Sequence, residues 1–148
     1  MIRHAGLIAM RPNVPGGGPW RGVLIEGASG AGKSDLALRC LDLGFRLVAD
    51  DRVELWTSAG RLFGAAPAAL AGLIEARGLG ILAVEPLPLA EVALVVRCGA
   101  PERLPDDDHV QILGISLPRV TIAALESAAP AKLSRALARF DGAINKRM

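Results

Sequence analysis

The strongest restriction on the fold of this chain comes from a glycine-rich segment that carries a single lysine. Residues 27–34 read Gly-Ala-Ser-Gly-Ala-Gly-Lys-Ser and match the pattern G-x-x-x-x-G-K-[ST]. The apolar run at residues 23–25 predicts a buried strand before the segment. Residues 33–43 carry apolar side chains at helical spacing, which predicts a helix after it. A strand, a tight loop and a helix in this order are the context in which the pattern binds phosphate.

We predict that this loop holds the phosphate groups of a nucleotide. Its glycines allow successive backbone N–H groups to point at phosphate oxygens, and the helix that follows adds the positive end of its dipole. Lys33 places a cation on the outer phosphates, and the Ser34 hydroxyl is an oxygen ligand for Mg²⁺. The alternative is a glycine-rich turn with a solvated lysine. The predicted phosphate-binding residues are Gly27, Ala28, Ser29, Gly30, Ala31, Gly32, Lys33 and Ser34.

Two adjacent carboxylates follow the next predicted strand, at residues 47–49. In open α/β sheets the carboxyl ends of the strands face the ligand crevice, so we expect Asp50 and Asp51 to lie near the phosphates. One carboxylate can ligate Mg²⁺ while the other accepts a proton from an incoming hydroxyl. The alternative is a solvated acidic turn.

The remaining patterns predict an α/β domain with a mixed sheet and packed helices. Residues 12–19 are rich in proline and glycine and predict a surface turn. No internal repeat or long linker divides the sequence, so we expect one P-loop-containing domain over residues 1–148. Strands are predicted at residues 7–10, 23–25, 47–49, 53–56, 61–63, 81–84, 92–96 and 110–113, and helices at residues 33–43, 67–76 and 131–140.

Composition excludes several classes of function. The net charge is +2 and aromatic residues make up 3% of the chain, so neither a basic stripe nor a stacking platform for nucleic acid is expected. The apolar run at residues 65–74 is too short to cross a membrane. Cys40 and Cys98 share no metal spacing and are expected to be free thiols in a reducing compartment. We therefore expect a cytoplasmic protein.

Three segments in order give the chain a family resemblance. The first is the loop at residues 27–34. The second is Gly-Phe-Arg-Leu-Val-Ala-Asp-Asp at residues 44–51, and the third is Leu-Ile-Glu-Ala-Arg-Gly-Leu-Gly-Ile at residues 73–81. Together they resemble the HPr kinase/phosphorylase family, at the scale of its C-terminal catalytic domain. Weaker matches are His4, residues 102–104, residues 112–114 and Pro118.

The resemblance implies an enzyme that transfers the γ-phosphoryl group of ATP to a serine of an HPr-like phosphocarrier protein. The family also removes that phosphate with inorganic phosphate, giving pyrophosphate, and it forms hexamers. By this resemblance Lys33 acts on phosphate, and Asp51, supported by Asp50, accepts the proton. The other implied roles are metal binding by Ser34, Asp50 and Glu75, support of the third segment by Arg77, phosphate contact by Arg103, and lining of the site by His4.

Two departures from the family pattern are visible. The loop begins at Gly27, so we expect a short form without the family's N-terminal domain. Family members follow the stretch matched here by residues 118–122 with a loop containing Arg and Gly, whereas this chain continues Ala-Ala-Leu-Glu-Ser at residues 123–127. This departure predicts a weaker phosphorylase activity rather than a loss of nucleotide binding.

Two other functions use the same loop. A small-metabolite kinase closes an Arg-bearing lid over its substrate, and no long insertion in the sequence supplies one. A nucleotide-binding regulatory module needs the loop but not the acidic pair, so the presence of Asp50, Asp51 and Glu75 together argues against that reading.

Overall fold

The computed structural model describes residues 1–11 and 15–145. Among them, no helix is long and apolar enough to cross a membrane. The two α-helices are α1 (Lys33–Leu41) and α2 (Ala129–Asn145), and a short 3₁₀ helix spans Ala68–Leu70. The strands are β1 (Ile2–Arg3), β2 (Gly6–Met10), β3 (Arg21–Glu26), β4 (Arg46–Ala49), β5 (Val53–Ser58), β6 (Arg61–Ala65), β7 (Leu73–Ala76), β8 (Gly80–Ala83), β9 (Ala90–Cys98), β10 (Asp108–Ile112) and β11 (Ile115–Ile122).

A mixed nine-stranded sheet forms the body of the protein. Seven of its strands follow the order β1-β5-β6-β9-β3-β2-β4, and β11 and β10 branch from β9. Strand β3 pairs in parallel with β9 and antiparallel with β2, and β2 pairs antiparallel with β4. Strands β3 and β4 therefore run in the same direction with β2 between them. The carboxyl ends of β3 and β4 and the start of β2 consequently share one edge of the sheet.

Strand β9 has two neighbours along its second edge. Its first residues, Ala90 and Glu91, pair antiparallel with β6, whereas Val95 to Cys98 pair in parallel with β11. Strand β10 adds to β11 as an antiparallel hairpin. The sheet divides at β9 because β6 and β11 each occupy one half of that edge.

Hydrophobic clusters cover both faces of the sheet. On one face α1 and α2 pack through buried side chains such as Leu36 and Leu133 against Val96 of β9. On the other face the β5–β6 hairpin packs Leu55 and Leu62 in the same cluster as Leu24 and Val95. Burial of about 25 cal/mol for each Å² of apolar surface stabilises these layers.

The helix predicted at residues 67–76 is wrong. Only Ala68–Leu70 form a turn of 3₁₀ helix, and β7 (Leu73–Ala76) follows and pairs with β8 as a separate two-stranded sheet. Gly72 lies between them at φ 76°, a left-handed conformation that ends the helix and is open to glycine. The alanines at residues 65–71 have high helix propensity, but tertiary pairing of β7 overrides it.

The other predicted elements are confirmed within a few residues at their ends, and two strands besides β7, namely β1 and β11, were not predicted. Strand β1 has only two residues, and β11 contains Pro118, which argues against a central strand. Pro118 is tolerated because the pairing of β11 with β9 begins after it, at Arg119. Of the turn predicted at residues 12–19, residues 12–14 lie outside the described residues.

Candidate functional site

A cleft of about 350 Å³ lies at the shared edge of β3, β2 and β4. The loop after β3, the acidic pair after β4 and the residue preceding β2 meet there, because these strand ends lie side by side. The residues that line the cleft are His4, Ser29, Gly30, Gly32, Lys33, Ser34, Asp35, Asp50, Asp51, Glu75, Arg77 and Leu125.

The loop at residues 27–32 has a backbone that requires glycine at defined points. Gly32 has φ 95°, and a Cβ added to it would lie 2.8 Å from Cδ2 of Leu125. Gly27 has φ 155°, and a Cβ there would lie 3.0 Å from the Cβ of Cys98. Of the eight predicted loop residues, Gly27, Ala28 and Ala31 do not line the cleft. The loop is therefore shaped both by its own conformation and by close contact with its neighbours.

Lys33 folds back over the loop that precedes it. Its Nζ donates to the carbonyl oxygens of Gly27 at 2.8 Å and Ala28 at 3.0 Å. An ammonium group has three N–H donors, so one is left for an anion in the cleft. The position of Lys33 at the first residue of α1 adds the positive end of the helix dipole to the same place.

Asp50 is buried, with 8% of its surface exposed. Its Oδ1 accepts from the Ser34 hydroxyl at 2.8 Å, and its Oδ2 accepts from the backbone N–H of Glu75 at 3.1 Å. No other charged residue is buried in the described part of the chain. A buried carboxylate needs partners such as these, and they join α1, β4 and β7 at one point.

Asp51 is exposed and has an unusual backbone. Its φ is 69°, and the Arg52 N–H donates to the Asp50 carbonyl at 2.8 Å, which closes a three-residue turn around Asp51. Turns with a positive φ at the central residue are rare and strained. His4 Nε2 lies 2.5 Å from Asp51 Oδ1, because the pairing of Arg3 with Val53 brings residue 4 beside the turn.

Glu75 and Arg77 both line the cleft at the β7–β8 hairpin. On a helix these positions, two residues apart, would point in different directions. Here Glu75 lies on β7, and Arg77 lies in the turn between β7 and β8. Both residues are exposed, and Arg77 forms no ion pair with any residue that the structure describes. Glu75 therefore reaches the cleft from a strand, and Arg77 reaches it from the turn that follows, instead of both lying on the predicted helix.

Oxygen donors suited to Mg²⁺ are present at the foot of the loop. Ser34 Oγ and Asp50 Oδ1 lie 2.8 Å apart, and hydroxyl and carboxylate oxygens are the hard ligands that Mg²⁺ prefers. The described residues contain no cluster of three or more His, Cys, Asp or Glu side chains that could hold a metal alone. A Mg²⁺ bound here would therefore depend on phosphate and water oxygens for the rest of its ligands.

Two results differ from the sequence-based expectations for individual residues. Arg103 is exposed in the segment between β9 and β10, and it is not among the residues that line the cleft. Asp35 and Leu125, which were not predicted, do line it, and Leu125 is 71% exposed. The signal for Leu125 was the departure from the family pattern at residues 123–127.

Cys98 lies directly behind the loop, against Gly27. Burial raises the pKa of the Cys98 thiol, and the positive charge of Lys33 opposes the rise without cancelling it. The thiol is consequently protonated at neutral pH, which makes it a packing residue of the loop rather than a nucleophile.

The same segments that build the cleft match a known family. Residues 20–88 match the family model described as HPr Serine kinase C-terminal domain, and this range contains the loop, the acidic pair and Glu75. The chain is 41% identical over 116 residues to the HPr kinase/phosphorylase of Geobacillus thermodenitrificans. Over these residues the chain is similar to the C-terminal domain of the HPr kinase/phosphorylase family.

Further relatives agree with this similarity. The chain is 44% identical over 101 residues to the HPr kinase/phosphorylase of Levilactobacillus brevis. The alignments cover 68% of this chain and 38% of the Geobacillus protein, and 63% of this chain and 32% of the Levilactobacillus protein. The chain thus spans less than two fifths of the length of either relative.

A solved structure has the same fold. The Hpr(Ser) kinase/phosphatase from Coxiella burnetii superposes with a TM-score of 0.77 at 27% sequence identity. The match covers 100% of this chain and 99% of that chain. The mixed sheet with two packed helices is therefore a fold that this chain shares with that kinase/phosphatase.

Proposed function

We propose that this protein is an ATP-dependent serine kinase that phosphorylates an HPr-like phosphocarrier protein. The observation that carries the proposal is the placement of an exposed carboxylate, Asp51, beside a glycine-rich loop that presents Lys33 and Ser34. A phosphoryl group held by the loop lies within a cleft that also holds a candidate proton acceptor. The similarity to this family supports the choice of a serine-bearing phosphocarrier as substrate.

The loop residues bind and orient the nucleotide in this proposal. Backbone N–H groups of residues 29–34 surround the phosphates, and the free N–H donor of Lys33 contacts the outer ones. Ser34 and Asp50 would ligate Mg²⁺, and Glu75, whose side chain lines the same cleft, would be the further ligand that the family resemblance implies. The ion, when bound, neutralises charge on the phosphate oxygens. In this way residues 27–34 act as a P-loop that binds the phosphates of ATP.

Asp51 acts as the general base. Its carboxylate accepts the proton of the incoming serine hydroxyl while the serine oxygen bonds to the γ-phosphorus. The bond between that phosphorus and the bridging oxygen breaks, and ADP leaves with the electron pair. His4 positions Asp51 through the 2.5 Å contact, and Arg77 contributes positive charge on the same side of the cleft. The phosphate contact of Arg103 stays a prediction from the family resemblance.

The test is transfer of radiolabelled phosphate from ATP, with Mg²⁺, to purified phosphocarriers encoded by the same organism. A panel of small hydroxylated metabolites serves as the competing substrate class. We expect label on one carrier and none on its serine-to-alanine variant. Label on a metabolite instead would make the protein a small-metabolite kinase. ATP binding without transfer to any substrate would favour a regulatory module.

We further propose that the protein acts in the cytoplasm, where ATP and phosphocarriers occur. We also propose that it forms a homo-oligomer, the hexamer that the family resemblance implies. Light scattering coupled to size-exclusion chromatography tests the oligomeric state, and a monomer at micromolar concentration would contradict the hexamer.

A further inference from the structure

We propose that Leu125 forms the contact surface for the nucleoside of the bound nucleotide and contributes to affinity without selecting the base. This inference rests on the proposed function, since it assumes that the loop holds the phosphates. It assigns a ligand contact to the segment at residues 123–127, which departs from the family pattern.

Leu125 is the one hydrocarbon side chain among those that line the cleft in the described part of the chain. It is 71% exposed, although leucine on a rigid turn beside a ligand cleft loses free energy by facing water. A phosphate loop and its acidic partners provide no apolar surface. A nucleoside whose phosphates occupy the loop can therefore cover an apolar side chain in this cleft only at Leu125.

The position of Leu125 fits the nucleoside end of the ligand rather than the transfer end. It touches the loop at Gly32, and it takes no part in the contacts that join Ser34, Asp50 and Glu75. Asp51, the proposed base, is held separately by His4. The contacts of Asp50 and of Asp51 therefore form two separate sets, and Leu125 belongs to neither of them but lies against the loop.

The turn that carries Leu125 is fixed to α1. Arg39 of α1 donates through Nη1 to the Glu126 carbonyl at 2.9 Å and through Nη2 to the Ala124 carbonyl. Arg39 is itself held by Asp35, four residues earlier, with Nε to Oδ2 at 3.0 Å. The carbonyls on both sides of Leu125 are therefore bound, which holds the backbone at Leu125 beside the loop before a ligand arrives.

Leucine presents only a hydrocarbon surface, so it contacts the face of a sugar or base and does not read hydrogen-bonding edges. The expected contribution is the same for ATP and GTP. Covering about half of a leucine side chain corresponds to about a fivefold change in the dissociation constant.

The experiment measures dissociation constants by calorimetry for ATP, GTP and tripolyphosphate, each with Mg²⁺ and without a phosphocarrier. The variant is Leu125→Ala, and Leu125→Met is the conservative replacement. Leu104→Ala is the matched control, because Leu104 is 85% exposed and does not line the cleft. We expect Leu125→Ala to weaken ATP and GTP about fivefold and to leave tripolyphosphate unchanged. We expect Leu125→Met and Leu104→Ala to bind all three as the wild type does.

Equal weakening of ATP and tripolyphosphate would overturn the inference, since Leu125 would then shape the loop instead of contacting the nucleoside. Unchanged ATP binding in Leu125→Ala would overturn it as well, and so would an effect on ATP that is absent for GTP. In each of these cases the proposed function stands. A wild-type protein that binds neither ATP nor tripolyphosphate would overturn the proposed function and this inference together.

Discussion

At the scale of single residues, the backbone turn at Asp51 gives two adjacent carboxylates opposite surroundings. Asp50 is buried and accepts two hydrogen bonds. The Asp51 side chain, in contrast, is 59% exposed, and its carboxylate contacts His4. The adjacency of the two residues predicted a shared site, and the structure brings both to the cleft. The left-handed φ that separates them could not be predicted, because the sequence of a turn does not fix the sign of φ at an aspartate.

Replacing Lys33 by alanine is expected to remove most phosphoryl transfer. The positioned charge of this lysine is the main electrostatic device that the loop offers, and loss of one such contact costs on the order of a hundredfold in rate. Initial rates of label transfer from ATP measure the effect. Lys132→Ala is the control, because Lys132 lies on α2 and pairs with Glu126 outside the cleft. A folded Lys33→Ala protein with wild-type rates would contradict the assignment of the loop.

Asp51→Asn is expected to bind ATP at least as well as the wild type and to lose transfer. Removing a negative charge near the nucleotide reduces repulsion, whereas an amide cannot accept the serine proton. Asparagine also tolerates the left-handed φ of 69°, so the fold should be kept. Asp51→Ala distinguishes the loss of the proton acceptor from a loss of backbone stability. Alanine is disfavoured at this φ, so this variant is expected to lower the free energy of unfolding by about 1 kcal/mol.

Calorimetry with ATP, initial rates and denaturant unfolding together test the role of Asp51. Abolished nucleotide binding in Asp51→Asn would assign Asp51 to ligand binding instead of proton transfer. Unchanged turnover would remove it from the chemistry.

At the scale of elements, the β7–β8 hairpin decides how the site is completed. Its Glu75 backbone N–H binds Asp50, and its side chains at residues 75 and 77 reach the cleft. The sequence correctly indicated that this segment belongs to the site, through its resemblance to a family signature. It gave the wrong element, because alanine-rich helix propensity before Gly72 is a local signal and the pairing of β7 with β8 is not.

Glu91 of β9 marks the place where three strands meet. It lies 2.9 Å from Arg21 of β3 and 2.5 Å from Arg61 of β6. Burial by itself would raise the pKa of Glu91, but the hydrogen bond from Arg61 and the charges of both arginines outweigh it and hold the pKa below its ordinary value. A carboxylate with a lowered pKa stabilises the folded state at neutral pH, and this contribution disappears as the pH falls through the folded pKa.

We therefore expect Glu91→Gln to lower the free energy of unfolding at pH 7 by about 1 kcal/mol after solvent screening. The difference from the wild type should shrink as the pH falls below 4.5, the ordinary value for this group. Denaturant unfolding at pH 7 and at lower pH measures both numbers. Glu54→Gln on β5 is the control, since Glu54 is exposed and forms no ion pair with the described residues. A difference that stays constant with pH would show that the ion pairs are not its source.

At the scale of the whole molecule, the site is assembled from residues far apart in the chain. His4, Lys33, Asp51 and Glu75 meet because β3 and β4 run in the same direction with β2 between them. The sequence predicted a strand, a helix and a strand in this order, but it established neither that β3 and β4 run in the same direction nor that β2 lies between them. The position of His4 depends on the pairing of β1 with β5. This pairing involves only two residues of each strand, which is too short for a periodic sequence pattern to predict.

The direction of the overall reaction depends on what surrounds the phosphates beyond the loop. The phosphorylase reaction holds inorganic phosphate as a second anion beside the phosphoserine, which requires further donors such as arginine and exposed backbone N–H groups. The family loop that supplies Arg and Gly is replaced here by residues 123–127, where Leu125 lines the cleft. Arg119, the arginine nearest to this segment in the sequence, is instead bound to Asp108 at 2.8 Å and does not line the cleft.

We expect the kinase direction to exceed the phosphorylase direction. In the reverse reaction an oxygen of inorganic phosphate attacks the phosphoserine phosphorus and the serine hydroxyl is released with pyrophosphate. Both anions must then lie near Asp50, Asp51 and Glu75 with few cations to balance them. The measurement incubates the serine-phosphorylated carrier with this protein, Mg²⁺ and excess inorganic phosphate, and compares pyrophosphate release with the forward rate.

Asp108→Ala frees Arg119 and is the informative variant, since a rise in pyrophosphate release would identify Arg119 as the missing donor. Release by the wild type at a rate comparable to the kinase rate would show that the replaced loop was not required.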